Sequence, residues 1–122
     1  PIYEVGHQIE FKQRPKFSNS AITTFRDFVG SLNKNGYLKL PNGLYVQWGS
    51  ANYAVEDGEA GSLVPFNIPF PNECFAIITN DGWGGVNSTA ANPISKSYFK
   101  CWGKNPLGSY ANTGLFYIAI GF

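Results

Sequence analysis

A chain of 122 residues with 43% hydrophobic content has room for one domain plus an appendage and is too apolar for intrinsic disorder. Nine basic and eight acidic residues leave a net charge of +1, dispersed without the basic cluster that marks nucleic-acid binding, so that class of partner is excluded. Charged residues make up only 14%, against roughly 25% in an average soluble domain; Asn, Gly, Ser and Tyr carry the polarity, which suits neutral sugars or a subunit interface.

From the N-terminus, residues 3–12 alternate, with Tyr3, Val5, His7, Ile9 and Phe11 on one face and Glu4, Gly6, Gln8, Glu10 and Lys12 on the other, the period of a strand. Gln13-Arg14-Pro15-Lys16 breaks the pattern. Ser20 is placed to cap a short helix over 21–29, with Ile22, Phe25, Phe28 and Val29 on one stripe and Gly30 as its stop. Beyond Gly36 the pattern predicts strands near 37–40, 44–49, 62–70, 74–80, 96–103 and 115–122. Pro41-Asn42-Gly43 reverses the chain between the first two, since Pro fixes φ and Asn and Gly tolerate positive φ. After that turn Leu44, Val46 and Trp48 alternate with Tyr45, Gln47 and Gly49, and the apolar trio is expected to face the core. Pro65, Pro69 and Pro71 cannot donate to a central ladder, so their stretch is an edge or distorted strand. Turn formers fill 50–61, 81–95 and 104–114. The expected fold is an all-β, sandwich-like or barrel-like antiparallel domain over 36–122, preceded by a shaft end or linker over 1–35. No apolar run approaches the ~20 residues of a membrane span. The chain begins at Pro1 and contains no Met, so it reads as a fragment.

The hairpin wording is distinctive. Gly36, Tyr37, Leu40, Pro41, Gly43, Leu44, Gln47, Trp48 and Gly49 resemble the Gly-Tyr-x-x-Leu-Pro-x-Gly-Leu-x-x-Gln-Trp-Gly block of C-terminal tip domains of bacteriophage tail fibres. Val64-Pro65-Phe66-Asn67-Ile68-Pro69-Phe70-Pro71 is similar to that family's proline-punctuated strand, and residues 116–122 to its closing strand, where Tyr117 stands in place of the usual Trp. The resemblance implies a homotrimeric fibre end, carried at the distal end of the virion's tail fibre and made in the host bacterial cytoplasm. Its partner would be a bacterial surface polysaccharide, capsule or lipopolysaccharide, and it needs no cofactor.

Chemistry-bearing residues are few. His7 is the single histidine; three copies on a trimer axis would offer three nitrogen ligands to a metal, although related fibres use His-x-His and position 9 here is Ile. Glu56, Asp57 and Glu59 cluster in one loop, without the facing pair of carboxylates that a glycosidase needs and without EF-hand spacing. Cys74 and Cys101 lack the companions of a zinc site. They either form one disulfide or pack as two small buried hydrophobes, and a reducing site of synthesis favours free thiols.

Recognition is therefore expected in the loops. Trp83, flanked by glycines, offers an indole to stack on a sugar ring, with Asn80, Asp81 and Asn87 supplying hydrogen bonds to hydroxyls; it can equally pin its own loop or meet the next subunit. Tyr110 with Asn105, Ser109 and Asn112 forms a second aromatic-and-amide loop. Trp48 and Trp102, inside strands, are expected in the core. The resulting function is a non-enzymatic receptor-binding tip. The alternatives are a fragment or binding module of a capsule-degrading depolymerase and a structural trimerising cap.

Overall fold

The computed structural model describes residues 16–17, 20–21 and 25–122. The strand expected over 3–12, and His7 with it, lies outside the described residues. Along the chain run β1 (Lys16–Phe17), β2 (Ser20–Ala21), a 3-10 turn (Phe25–Asp27), β3 (Val29–Ser31), β4 (Gly36–Lys39), β5 (Tyr45–Tyr53), a second 3-10 segment (Val55–Ala60), β6 (Ser62–Pro65), β7 (Cys74–Asp81), β8 (Ser88–Pro93), β9 (Tyr98–Lys104) and β10 (Thr113–Gly121). Among the described residues, β1 and β2 pair with each other alone. The body consists of two antiparallel sheets, a five-stranded one in the order β3-β4-β5-β10-β7 and a three-stranded one in the order β6-β9-β8.

The spine is the nine-residue pairing of β5 with β10, from Thr113 opposite Tyr53 to Gly121 opposite Tyr45. Alternate residues of these strands (Gln47, Gly49, Ala51 and Tyr53; Thr113, Leu115, Tyr117, Ala119 and Gly121) are buried. They meet Phe99 and Cys101 of β9 and the rings of Phe66 and Phe70. Phe66 stands edge-on to Phe70 at 4.9 Å and lies 5.1 Å from Phe99, which in turn lies 4.8 Å from Tyr117. Truncating a ring buried to this extent costs about 3–5 kcal/mol, so this aromatic cluster is the main tie between the sheets. Between the sheets, Gly103 lies against the Thr113 side chain in space that a Cβ would occupy.

The hairpin forms as its sequence requires. Gly43 has φ 93°, its N–H donates to the Leu40 carbonyl at 3.0 Å, and the Leu44 N–H donates to Asn42 Oδ1 at 3.0 Å.

Several expectations are corrected. The buried face of β5 is Tyr45, Gln47, Gly49, Ala51 and Tyr53, so Trp48 is not a core residue. It is half-buried on the opposite face, covering Gly36, with its Nε1–H donating to the Asn33 carbonyl at 2.8 Å. β5 also runs on to Tyr53 instead of ending at 49, because β10 supplies partners throughout. The helix expected over 21–29 is absent from the described part of that segment: residues 25–27 make one 3-10 turn, and Val29 and Gly30 join the sheet opposite Lys39 and Leu38. A segment with Thr23 and Thr24 forms a poor helix, and the free edge of β4 offers backbone partners.

The strand expected over 62–70 stops at Pro65. Its continuation crosses between the sheets, with the Phe66 and Phe70 N–H groups bonded to the Ser97 and Lys96 carbonyls. The Ile68 backbone bonds the Gln47 side chain, donating N–H to Oε1 at 3.1 Å and accepting from Nε2 at 2.8 Å. Within the loop expected over 81–95, residues 88–93 form β8, which pairs with β9 from Ser88 opposite Lys104 to Pro93 opposite Phe99.

Cys74 and Cys101 are buried and free. Burial raises both thiol pKa values, that of Cys101 to about 11 with Asp57 adding to the shift. Both should resist alkylation at pH 8 in the folded protein. After denaturation without reductant both should label, as mass spectrometry would read directly; a pair that labels only after reduction would show a disulfide.

Candidate functional site at the loop end

The registers place three connections at one end of the sandwich. β5 ends at Tyr53 opposite Thr113, where β10 begins, and Leu115 pairs with Asp81 at the end of β7. Ser88 pairs with Lys104 at the start of β8 and the end of β9. Residues 54–61, 82–87 and 105–112 therefore crowd together, while the 40–44 hairpin and residue 122 lie at the opposite end.

Side chains cross-brace this end. Asn112 Oδ1 accepts from the Val55 N–H at 2.7 Å, tying the third loop to the first. Asn87 Nδ2 donates to Thr113 Oγ1 at 2.9 Å, tying the second loop to β10. Within the second loop the Asp81 carboxylate accepts from the Trp83 N–H at 3.0 Å and from the Asn87 N–H at 2.6 Å. Those bonds bracket Val86, whose φ of 53° is a strained conformation for a β-branched residue and costs on the order of 1–3 kcal/mol. Asn105 Oδ1 accepts from the Leu107 and Ser109 N–H groups, closing the third loop. In the first loop Asp57 accepts from Ser62 Oγ at 2.6 Å, Ser62 Oγ accepts from the Ala54 N–H, and the Tyr53 hydroxyl donates to the Gly58 carbonyl. Among the described residues, no group of three or more His, Cys, Asp or Glu side chains is arranged to hold a metal.

The expected site residues divide into two clusters on opposite faces. Trp83 is 75% exposed. Its indole lies over Gly114 on the outer face of the five-stranded sheet, beside the Phe116 ring that covers Gly82. Asn80 is on that face, opposite Phe116, with Nδ2 donating to the Asp81 carbonyl at 3.1 Å. Tyr110 lies on the other side, 6.0 Å from the Tyr53 ring and with Lys104 Nζ 4.7 Å from its centroid. Asp81, Asn87, Asn105 and Asn112 give the bonds above to the scaffold, so they shape the loops and leave less of their polarity for hydroxyls.

Two features were not read from the sequence. Trp102, expected in the core, is half-buried on the outer face of the three-stranded sheet, where its Nε1–H donates to the Glu59 carbonyl at 2.8 Å. It lines an open groove of ≈ 280 Å³ with Ser88, Ala90, Gly103, Lys104 and Tyr110. The alternation Lys100, Trp102, Lys104 along one strand was the available signal. The second feature is an apolar stripe on the outer face of the five-stranded sheet: Ile78 (64% exposed), Phe116 (52%) and Ile118 (48%), beside Trp48, which pairs with Ile118 in the ladder.

The family described as putative tail fiber protein gp53-like, C-terminal, matches residues 39–122. The chain belongs to that family. It is a tail-fibre C-terminal domain. An uncharacterized protein of Methanocaldococcus jannaschii is 30% identical over 110 residues, an alignment covering 84% of this chain and 70% of that protein. The P. aeruginosa R2 pyocin fibre is similar in structure with a TM-score of 0.65 and 23% identity, over 78% of this chain and 26% of that one. An N-truncated R1-type pyocin tail fibre has a TM-score of 0.57 and 22% identity, over 78% of this chain and 85% of that one. At these identities the likeness establishes the fold. The tail-fibre domain thus spans about a quarter of the R2 fibre fragment, and no helix among its described residues is long and apolar enough to cross a membrane.

Removing the carboxylate that holds the second loop should release Val86 from its strained conformation. Asp81→Ala is expected to lower stability by about 1–3 kcal/mol, the cost of leaving backbone donors without their charged acceptor. Chemical shifts should change in residues 82–87 while the β5–β10 ladder stays intact. Unchanged shifts in that loop would contradict its dependence on Asp81.

Proposed function

We propose that this domain is the receptor-binding tip of a homotrimeric tail fibre that attaches a phage or phage-like particle to a bacterial surface glycan, without catalysing a reaction. The observation that carries the proposal is the placement of the loops. β3 enters the sheet with Val29 opposite Lys39, at the hairpin end, so the chain arrives opposite the three braced loops. Mounted on a preceding shaft, the domain would present those loops outward. Loops fixed on a β scaffold are the usual place for recognition, and their bracing limits the entropy lost on binding.

The exposed stripe of Ile78, Phe116 and Ile118, a contiguous apolar face of the kind that marks interaction surfaces, is the proposed subunit contact. Trp83 continues that face at the loop end, where it would sit at the rim between subunits and still reach a ligand. Three weak sites on one fibre, multiplied by several fibres, would supply avidity. A depolymerase reading would need two facing carboxylates; Glu56, Asp57 and Glu59 lie on one short 3-10 segment, with Asp57 engaged by Ser62.

The test combines light scattering with binding to susceptible cells before and after periodate oxidation of their glycans. Wild type should scatter as a trimer and lose binding on oxidation, whereas Ile118→Asp should dissociate and bind weakly. Trp83→Ala should remain trimeric with a nearly unchanged Tm and bind about tenfold less, equivalent to about 1.4 kcal/mol per site. A monomeric wild type, or binding indifferent to periodate, would refute the proposal, and shortened polysaccharide chains after incubation would favour the depolymerase.

A further inference from the structure

We propose that the groove on the outer face of the three-stranded sheet is a saccharide subsite for an acidic pyranose, a sugar ring bearing a carboxylate. This inference rests on the receptor-binding reading and assigns it a second surface, separate from Trp83. Trp102 is fixed there: its indole nitrogen is committed to the Glu59 carbonyl, and Gly61 backs the ring so closely that a Cβ would come within 2.7 Å of it. The indole therefore offers a ligand its aromatic surface and no hydrogen-bond donor, which suits the apolar face of a sugar. Tyr110 forms the far wall, and Ala90, opposite Trp102 in the ladder, keeps the floor low. The groove's ≈ 280 Å³ falls at the small end of ligand pockets, roughly 300–1,000 Å³, and suits a single ring.

Charge selects the class of sugar. Lys104 has its ammonium over the Tyr110 ring, and among the described residues no carboxylate pairs with it. Lys100 projects from the same face of β9, two residues beyond Trp102. An unpaired cation beside an aromatic platform is complementary to a carboxylate on a stacked ring, and the Ser88 hydroxyl, opposite Lys104, can accept from or donate to a ring hydroxyl.

The probes are β-1,4-linked hexamers of glucuronic acid and of glucose, which differ only at the carboxylate, titrated calorimetrically against the full chain. The acidic hexamer should bind at least tenfold more tightly than the neutral one. Lys104→Gln should abolish that preference, and Ala90→Glu, a substitution at an exposed position, should abolish binding of both without changing Tm or oligomeric mass. Equal affinity for the two hexamers, acidic-hexamer binding that survives Ala90→Glu, or a change in oligomeric mass in that variant would overturn the subsite. Attachment to susceptible cells separates this inference from the reading beneath it. If wild type and Ala90→Glu attach equally, the groove is not the subsite and receptor binding stands; if wild type does not attach, the receptor reading itself fails.

Discussion

The hydrogen-bond pair between the Gln47 side chain and the Ile68 backbone lets the segment that carries Phe66 and Phe70 enter the core, and the aromatic tie between the sheets depends on it. Residues 65–71 contain three prolines, which have no N–H to give a ladder, and the segment leaves β6 after Pro65 to cross from one sheet to the other. Its aromatic side chains, Phe66 and Phe70, are needed in the core, so its backbone is drawn inward with them. A buried N–H or C=O left without a partner costs about 1–3 kcal/mol. Gln47, fully buried, supplies one donor and one acceptor on a single planar amide and replaces the missing strand. Asn67 adds to this from the other side, donating to the Gly36 and Trp48 carbonyls at 2.8 Å each.

That amide also fixes which face of β5 points inward. Side chains alternate with period two, so a slip of one residue would exchange the whole set. With Gln47 inward, Tyr53 and Ala51 join the core, Trp48 and Val46 turn outward, and the paired residues of β10 follow. The five-stranded sheet is left with a second apolar face, free for a neighbouring subunit, while the three-stranded sheet presents Lys100, Trp102 and Lys104. The proposed subunit contact and the proposed saccharide groove thereby fall on opposite sides of one small sandwich, with the braced loops at its end between them.

The sequence made some of this readable for physical reasons. Pro41-Asn42-Gly43 encodes a turn through local φ preferences, so the hairpin was legible. The period of β5 was legible but its phase was not: Leu44, Val46 and Trp48 are more apolar than Tyr45, Gln47 and Gly49, and a sheet with two apolar faces gives hydrophobicity no means of choosing between them. β8 was hidden because Ser88-Thr89-Ala90-Ala91-Asn92-Pro93 has no large apolar alternation and becomes a strand only beside β9. Residues of the second and third loops were recognisable as candidates, yet most of their amides and carboxylates bond to the scaffold, a tertiary fact no single segment carries. Trp102 was missed because an indole within a strand is usually core, and the lysines on either side of it were the contrary signal.

The most direct test of this account is hydrogen exchange at the Ile68 amide, in a segment that belongs to no strand. If Gln47 stands in for a missing strand, that amide should exchange slowly in the wild type, and Gln47→Leu should speed it by orders of magnitude while amides of the β5–β10 ladder remain protected in native conditions. An Ile68 amide that exchanges as fast as an exposed loop in the wild type would contradict the account.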